Sequence, residues 1–254
     1  MRRIVLTLLA TALFAGIAHA GVVVEEQQTT DRGMGTPTTN QITVMTQGNK
    51  QKYVFADGRQ ASILDLDKGT RLMLIQPRKV YLEMPFPPHG MMSSNVPSVT
   101  FKKTGSVEKI AGYSCDDYLG TGTLPGGSIK VETCVSTTAP GAAGFTQFQK
   151  TMAEKVKGTP MAMMAATPPG IPLKLNTTLT PTGPSERPPV TAKITVTKVT
   201  EENLPPDTFE APKGYTKQSM PMMMGHMPPP GMPGHAAPGA AAPSPGAAPS
   251  KVPE

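Results

Sequence analysis

The sequence predicts a mainly β (α+β) fold: an antiparallel half-barrel sheet with one or two covering helices and a disordered C-terminal tail. Three observations predict it. Short runs of alternating apolar and polar residues recur between turn signals from residue 21 to residue 84. Two cleaner alternating runs lie late in the chain, at 173–179 and 190–197. Only one segment, 145–157, carries apolar residues at helical spacing.

The elements follow in order. Residues 1–20 read as a cleavable signal peptide, with Arg2 and Arg3 ahead of an uncharged apolar run and small residues at Ala18 and Ala20. The run, about 14 residues, is short of the roughly 20 that span a bilayer. No cysteine stands near the cleavage point, which excludes a lipid-modified N-terminus, and no later segment reads as a transmembrane span. The expected location is the periplasm, or more broadly outside the cytoplasm.

Six strands are expected in 21–84. Val22 and Val24 mark the first, Ile42 and Val44 the second, and Tyr53 with Phe55 the third. Leu64 with Leu66, Leu72 with Leu74, and Val80, Leu82 and Met84 mark the others. The turns at Gly48-Asn49, Asp57-Gly58 and Lys68-Gly69 are too short for a parallel crossover, so neighbours run antiparallel. Prolines 85, 87, 88 and 97 predict a loop over 85–100. Strand signals return at 106–110, 113–119 and 128–136. The helix over 145–157 presents Phe145, Phe148, Met152 and Val156 on one face, after Gly144 and before Gly158. The last strands are joined by the proline-rich stretch 181–189. The half-barrel domain is expected to occupy 21–215. The tail, 216–254, is rich in proline, methionine and alanine and buries too little apolar area to order itself.

Removing residues 1–20 leaves 22 basic against 18 acidic residues, a formal charge of +4. The basic residues are scattered, so no nucleic-acid footprint is expected. Cys115 and Cys134, 19 apart, are expected to form a disulfide in an oxidising compartment and to stabilise the fold by roughly 3 kcal/mol. No catalytic cluster emerges and no cofactor is implied. The mature chain holds His89, His226 and His235, and the latter two lie in the tail. Asp116 and Asp117 are strand neighbours that point to opposite faces, which makes a poor acid–base pair. Catalysis is therefore not expected.

The stretch Lys109-Ile110-Ala111-Gly112-Tyr113-Ser114-Cys115-Asp116-Asp117-Tyr118 and the ending Asp207-Thr208-Phe209-Glu210-Ala211-Pro212-Lys213-Gly214-Tyr215 resemble the signature of a bacterial family, the domain of unknown function 4412. That family resembles the periplasmic lipoprotein carriers of the Lol type. The resemblance covers roughly residues 21–215. It implies an antiparallel half-barrel around short helices with an apolar cavity, and it transfers no lipid-contacting residue to this chain.

The leading expectation is a non-enzymatic periplasmic binding or carrier protein for an apolar ligand such as a lipid or acyl chain. Tyr53, Phe55, Leu74, Leu82, Leu175, Ile194 and Val196 are the expected apolar lining. A different expectation has the loops 85–100 and 158–171 fill the concavity. A second class of function uses the tail. Met220, Met222, Met223, Met224, Met227 and Met232, with His226 and His235, offer soft ligands for monovalent copper. A third is a structural envelope protein whose tail contacts a partner.

Overall fold

Turn-punctuated alternation produces a meander of six strands: β1 (Gly21–Asp31), β2 (Thr38–Gln47), β3 (Lys50–Phe55), β4 (Gln60–Asp65), β5 (Thr70–Ile75) and β6 (Val80–Pro85). A second run comprises β7 (Ser98–Ile110), β8 (Tyr113–Leu124), β9 (Gly127–Ser136), helix α1 (Ala142–Lys155), β10 (Ile171–Pro181) and β11 (Val190–Glu202). A 3-10 turn at Pro206–Phe209 and a last strand, β12 (Thr216–Gln218), follow. The computed structural model describes residues 20–88, 98–124, 126–162, 166–182 and 188–219. Residues 1–19, where a signal peptide is expected, His89 and the methionine–histidine segment from Met220 onward lie outside the described residues.

The described strands form one open sheet in the order β12-β6-β5-β4-β3-β2-β1-β11-β10-β9-β8-β7. This is the expected half-barrel type of sheet. The two meanders are joined along β1 and β11, with Val24 opposite Val199 and Glu26 opposite Val196 across a bulge at Glu25/Glu26. Neighbours are antiparallel except at one edge, where β12 pairs parallel to β6. That pairing carries the sheet past residue 215 and departs from the all-antiparallel expectation. It is possible because the chain reaches the edge from mid-sheet β11 through the Pro206–Phe209 turn instead of through a hairpin.

Directly opposed residues in a ladder share a face. One face carries Val22, Val24, Ile42, Val44, Leu64 and Val196, and α1 packs onto it through Ala142, Phe145 and Phe148, with Val156 just past its end. This is the inner face. On the outer face Ala61, Ile63 and Leu74 are sealed by Phe209, with Leu204 and Tyr215 against them. The Tyr215 hydroxyl donates to Gln76 Oε1 at 2.8 Å, and the half-buried Lys52 ammonium donates to the Thr208 carbonyl at 3.0 Å.

The helix begins three residues earlier than its spacing predicts, and Gly144 lies inside it. Its start is set by packing. Gly141 adopts φ +72°, and a Cβ there would lie 2.6 Å from Val22 Cβ, so the chain turns into α1 directly against β1. Ala142 is buried at that contact. The helix also ends at Lys155, two residues short of the expected 157, and β7 starts at Ser98, inside the proline loop expected at 85–100.

Candidate apolar binding face

α1 covers only part of the inner face. Beneath it, Val22, Val24, Ile42, Val44, Ile171, Leu173, Val196 and Val199 form one packed cluster. Farther along β9, β10 and β11 the same face continues as Val131, Thr177 and Ala192, then Ile129, Leu179 and Val190. None of Ile129, Val131, Leu175, Leu179, Val190 and Ile194 belongs to a packed cluster of the described residues. Leu175, Leu179, Val190 and Ile194 stay half-buried.

A glycine shapes the floor of this stretch. Gly120 on β8 lies opposite Phe101 on β7 and Val131 on β9. A Cβ at 120 would meet the Phe101 ring at 2.6 Å. Glycine thus lets an aromatic ring from the edge strand lie against the sheet.

Six of the seven expected lining residues share the inner face. Leu175 and Ile194 are a direct cross-strand pair. Val196 is buried in the cluster under α1, and Tyr53 and Phe55 pack against its margin. Leu82 reaches the same face by its register with Met73, but it lies near the β12 edge, far from Ile194. Leu74 does not belong with them. It is opposite Ala61 and Tyr81, on the outer face beneath Phe209. β5 reads Leu72-Met73-Leu74-Ile75, apolar on both faces, so alternation gave no parity there.

Sequence reasoning missed Glu26. It follows the valines of β1 and lies opposite Ile42 on one side and Val196 on the other. Burial pushes its carboxyl up to about 7. The Tyr53 phenol is pushed up to about 12 by burial, with the Glu26 charge adding to the rise and Arg71 opposing it. The available signal was Glu25-Glu26 itself, since adjacent strand residues must place one carboxylate on the apolar side. Glu25 takes the outer face and lies 3.3 Å from the Lys198 ammonium.

Several other charged groups pair with one another. Asp116 pairs with Lys103 at 2.8 Å, and Asp117 lies 3.5 Å from Lys174, which also donates to Glu108. Glu108, Asp117 and Cys134 converge as a metal set would. However, the Cys134 sulfur is bonded to Cys115 and the Lys174 ammonium already bridges the two carboxylates. The expected disulfide is thus present, with a Cα–Cα distance of 5.3 Å. The methionine and histidine candidates for copper lie outside the described residues. A separate cleft of about 630 Å³ opens at the start of α1, lined by Val22, Thr46, Ala139, Phe145 and Glu201 among others. Among the described residues no helix is long and apolar enough to cross a membrane.

A family model described as a domain of unknown function, DUF4412, matches residues 27–215. No curated protein matches the sequence. Among solved structures the chain is similar to PNGF-II at 13% identity and TM-score 0.41, covering 81% of this chain and 32% of that one. It is similar to MucB, solved in complex with MucA(peri), at 12% identity and TM-score 0.38, covering 77% and 56%. It is also similar to a LolA superfamily protein from Nitrosomonas europaea at 10% identity and TM-score 0.32, covering 75% and 90%. The chain therefore spans about a third of PNGF-II and about half of MucB.

Proposed function

The chain belongs to the DUF4412 family, and from that premise we propose that it is a non-enzymatic binding or carrier protein of the cell envelope whose inner face holds an apolar ligand, a lipid or acyl chain. One observation carries the reading. Leu175, Leu179, Val190 and Ile194 line adjoining strands on one face, half-buried and outside every packed cluster of the described residues. Fully burying an exposed leucine or isoleucine is worth roughly 1.5–3 kcal/mol, so covering a half-buried one contributes about half of that, and this stretch favours an apolar group laid on it. Such a surface on a curved sheet suits an alkyl chain better than a compact solute.

Placement in the envelope draws on the apolar leader over 1–20 and on the Cys115–Cys134 bond, which belongs to oxidising compartments. The non-enzymatic reading is supported by the lysine partners of Asp116, Asp117 and Glu108. A half-barrel domain at 21–215 followed by a tail is part of the same proposal.

The test is native mass spectrometry of the mature chain, purified gently from envelopes. A co-purifying mass in the lipid range, lost on delipidation, is expected. A clean ligand-free mass, with no uptake of added lipid, overturns the carrier reading.

A further inference from the structure

The inner face is not uniformly apolar. On β11 and β10 it runs Val196, Ile194 and Leu175, while on β1 and β2 it turns polar at Gln28, Thr30 and Asn40. Glu26 stands at the seam. Its direct neighbours across the ladder are Ile42 and Val196, and among the described residues no hydrogen-bond or ion-pair partner reaches its carboxylate.

A carboxyl placed among aliphatic side chains loses hydration that nothing on the sheet replaces. The flanking strands contribute no cation to its surroundings. β11 offers Val196 and Ile194, β2 offers Ile42 and Val44, and β3 offers the Tyr53 phenol, itself an acid. The nearest basic group on this face from the first meander, Arg71, lies beyond β3 and β4 and donates to Ser62 Oγ at 2.9 Å. Glu26 is half-buried rather than sealed, so its carboxylate stays within reach of an external group. The missing complement here is a cation that arrives with its own apolar chain.

We infer that the inner face takes a cationic amphiphile, its ammonium group against the Glu26 carboxylate at the polar seam and its alkyl chain along Ile194, Leu175 and Leu179. This rests on the carrier reading and narrows it to a ligand class. The raised pKa of Glu26 has the same origin: with no counter-charge supplied, the ionised form is costly. An incoming ammonium offsets that cost, whereas a neutral amphiphile leaves it in place.

The test uses the mature full chain and two chain-length-matched probes, decylammonium and decanol, below their aggregation limits. Isothermal titration calorimetry is run at pH 8, where Glu26 is largely ionised. Decylammonium is expected to bind about tenfold or more tightly than decanol, a difference of about 1.4 kcal/mol. Glu26→Gln should erase that preference and leave decanol binding within about twofold. Glu25→Gln, one residue away on the outer face, should leave it intact. The basic overall charge of the chain opposes unspecific uptake of a cation, so the preference is not a bulk charge effect. Equal binding of both probes by the unmodified chain overturns the inference while leaving the carrier reading standing. So does a preference that both glutamine variants lower alike. Binding of neither probe removes the carrier reading as well.

Discussion

Glu26 also makes a prediction about pH. Its carboxyl is raised by burial from an ordinary 4.5 to about 7. Below pH 4.5 the folded and unfolded chains both hold the proton. Between pH 4.5 and 7 the unfolded chain gives it up first, so stability falls as pH rises through that window and the contribution is gone above it. The upper bound is about 3 kcal/mol, and half-burial brings the expected loss to roughly 1–3 kcal/mol. Glu26→Gln should therefore match the parent chain near pH 4 and exceed it by that amount at pH 8, read as urea unfolding midpoints. A variant with an unchanged pH profile would place the carboxyl in water. The disulfide makes the second prediction at this scale. Replacing both Cys115 and Cys134 by serine should cost roughly 3 kcal/mol, since the bond closes a loop between residues 19 apart. Guanidinium titrations with and without reductant measure it.

Among the elements, α1 depends most on a few contacts. Phe148 is fully buried between Leu64 and Val156, and Phe148→Ala should cost about 3–5 kcal/mol in chemical denaturation. Gly141→Ala should cost roughly 1–3 kcal/mol, because a left-handed residue meets Val22 there. The helix itself was legible from Phe145, Phe148, Met152 and Val156, but its start was not, because the anchor is a contact with β1 that no local pattern encodes. Strands such as β10 and β11 were plain from strict alternation. Leu74 was assigned to the wrong face because β5 is apolar on both sides, and only its pairing with Tyr81 resolves the parity. β12 was missed because three residues paired parallel to a strand far back in sequence leave no local trace. Glu26 was passed over for a related reason: a polar run reads as solvent-facing until the neighbours opposite it are known.

At the scale of the whole molecule, an open sheet leaves two edges. β12 is three residues long, which blunts one. The other is β7, thirteen residues long, and it carries Lys102, Lys103 and Lys109 and a register break between Lys103 and Val107. Bulges and lysines on an edge strand discourage pairing with another chain. Replacing Lys102 and Lys109 together by valine should promote self-association, read by light scattering against concentration. An unchanged monodisperse species would show that the bulge alone suffices. The central seam bears on how the molecule assembles. β1 is seated between β2 and β11, and Thr197 Oγ1 reaches the Glu25 carbonyl across 172 residues of chain. The earliest strand to be synthesised thus waits for almost the latest before its second side is closed. Topologies dominated by such distant partners fold slowly and leave half-built sheets open to wrong company. A nascent chain halted before Val190 would hold a ready β1 edge with nothing to fill it, and any escort it needs would be needed during that interval.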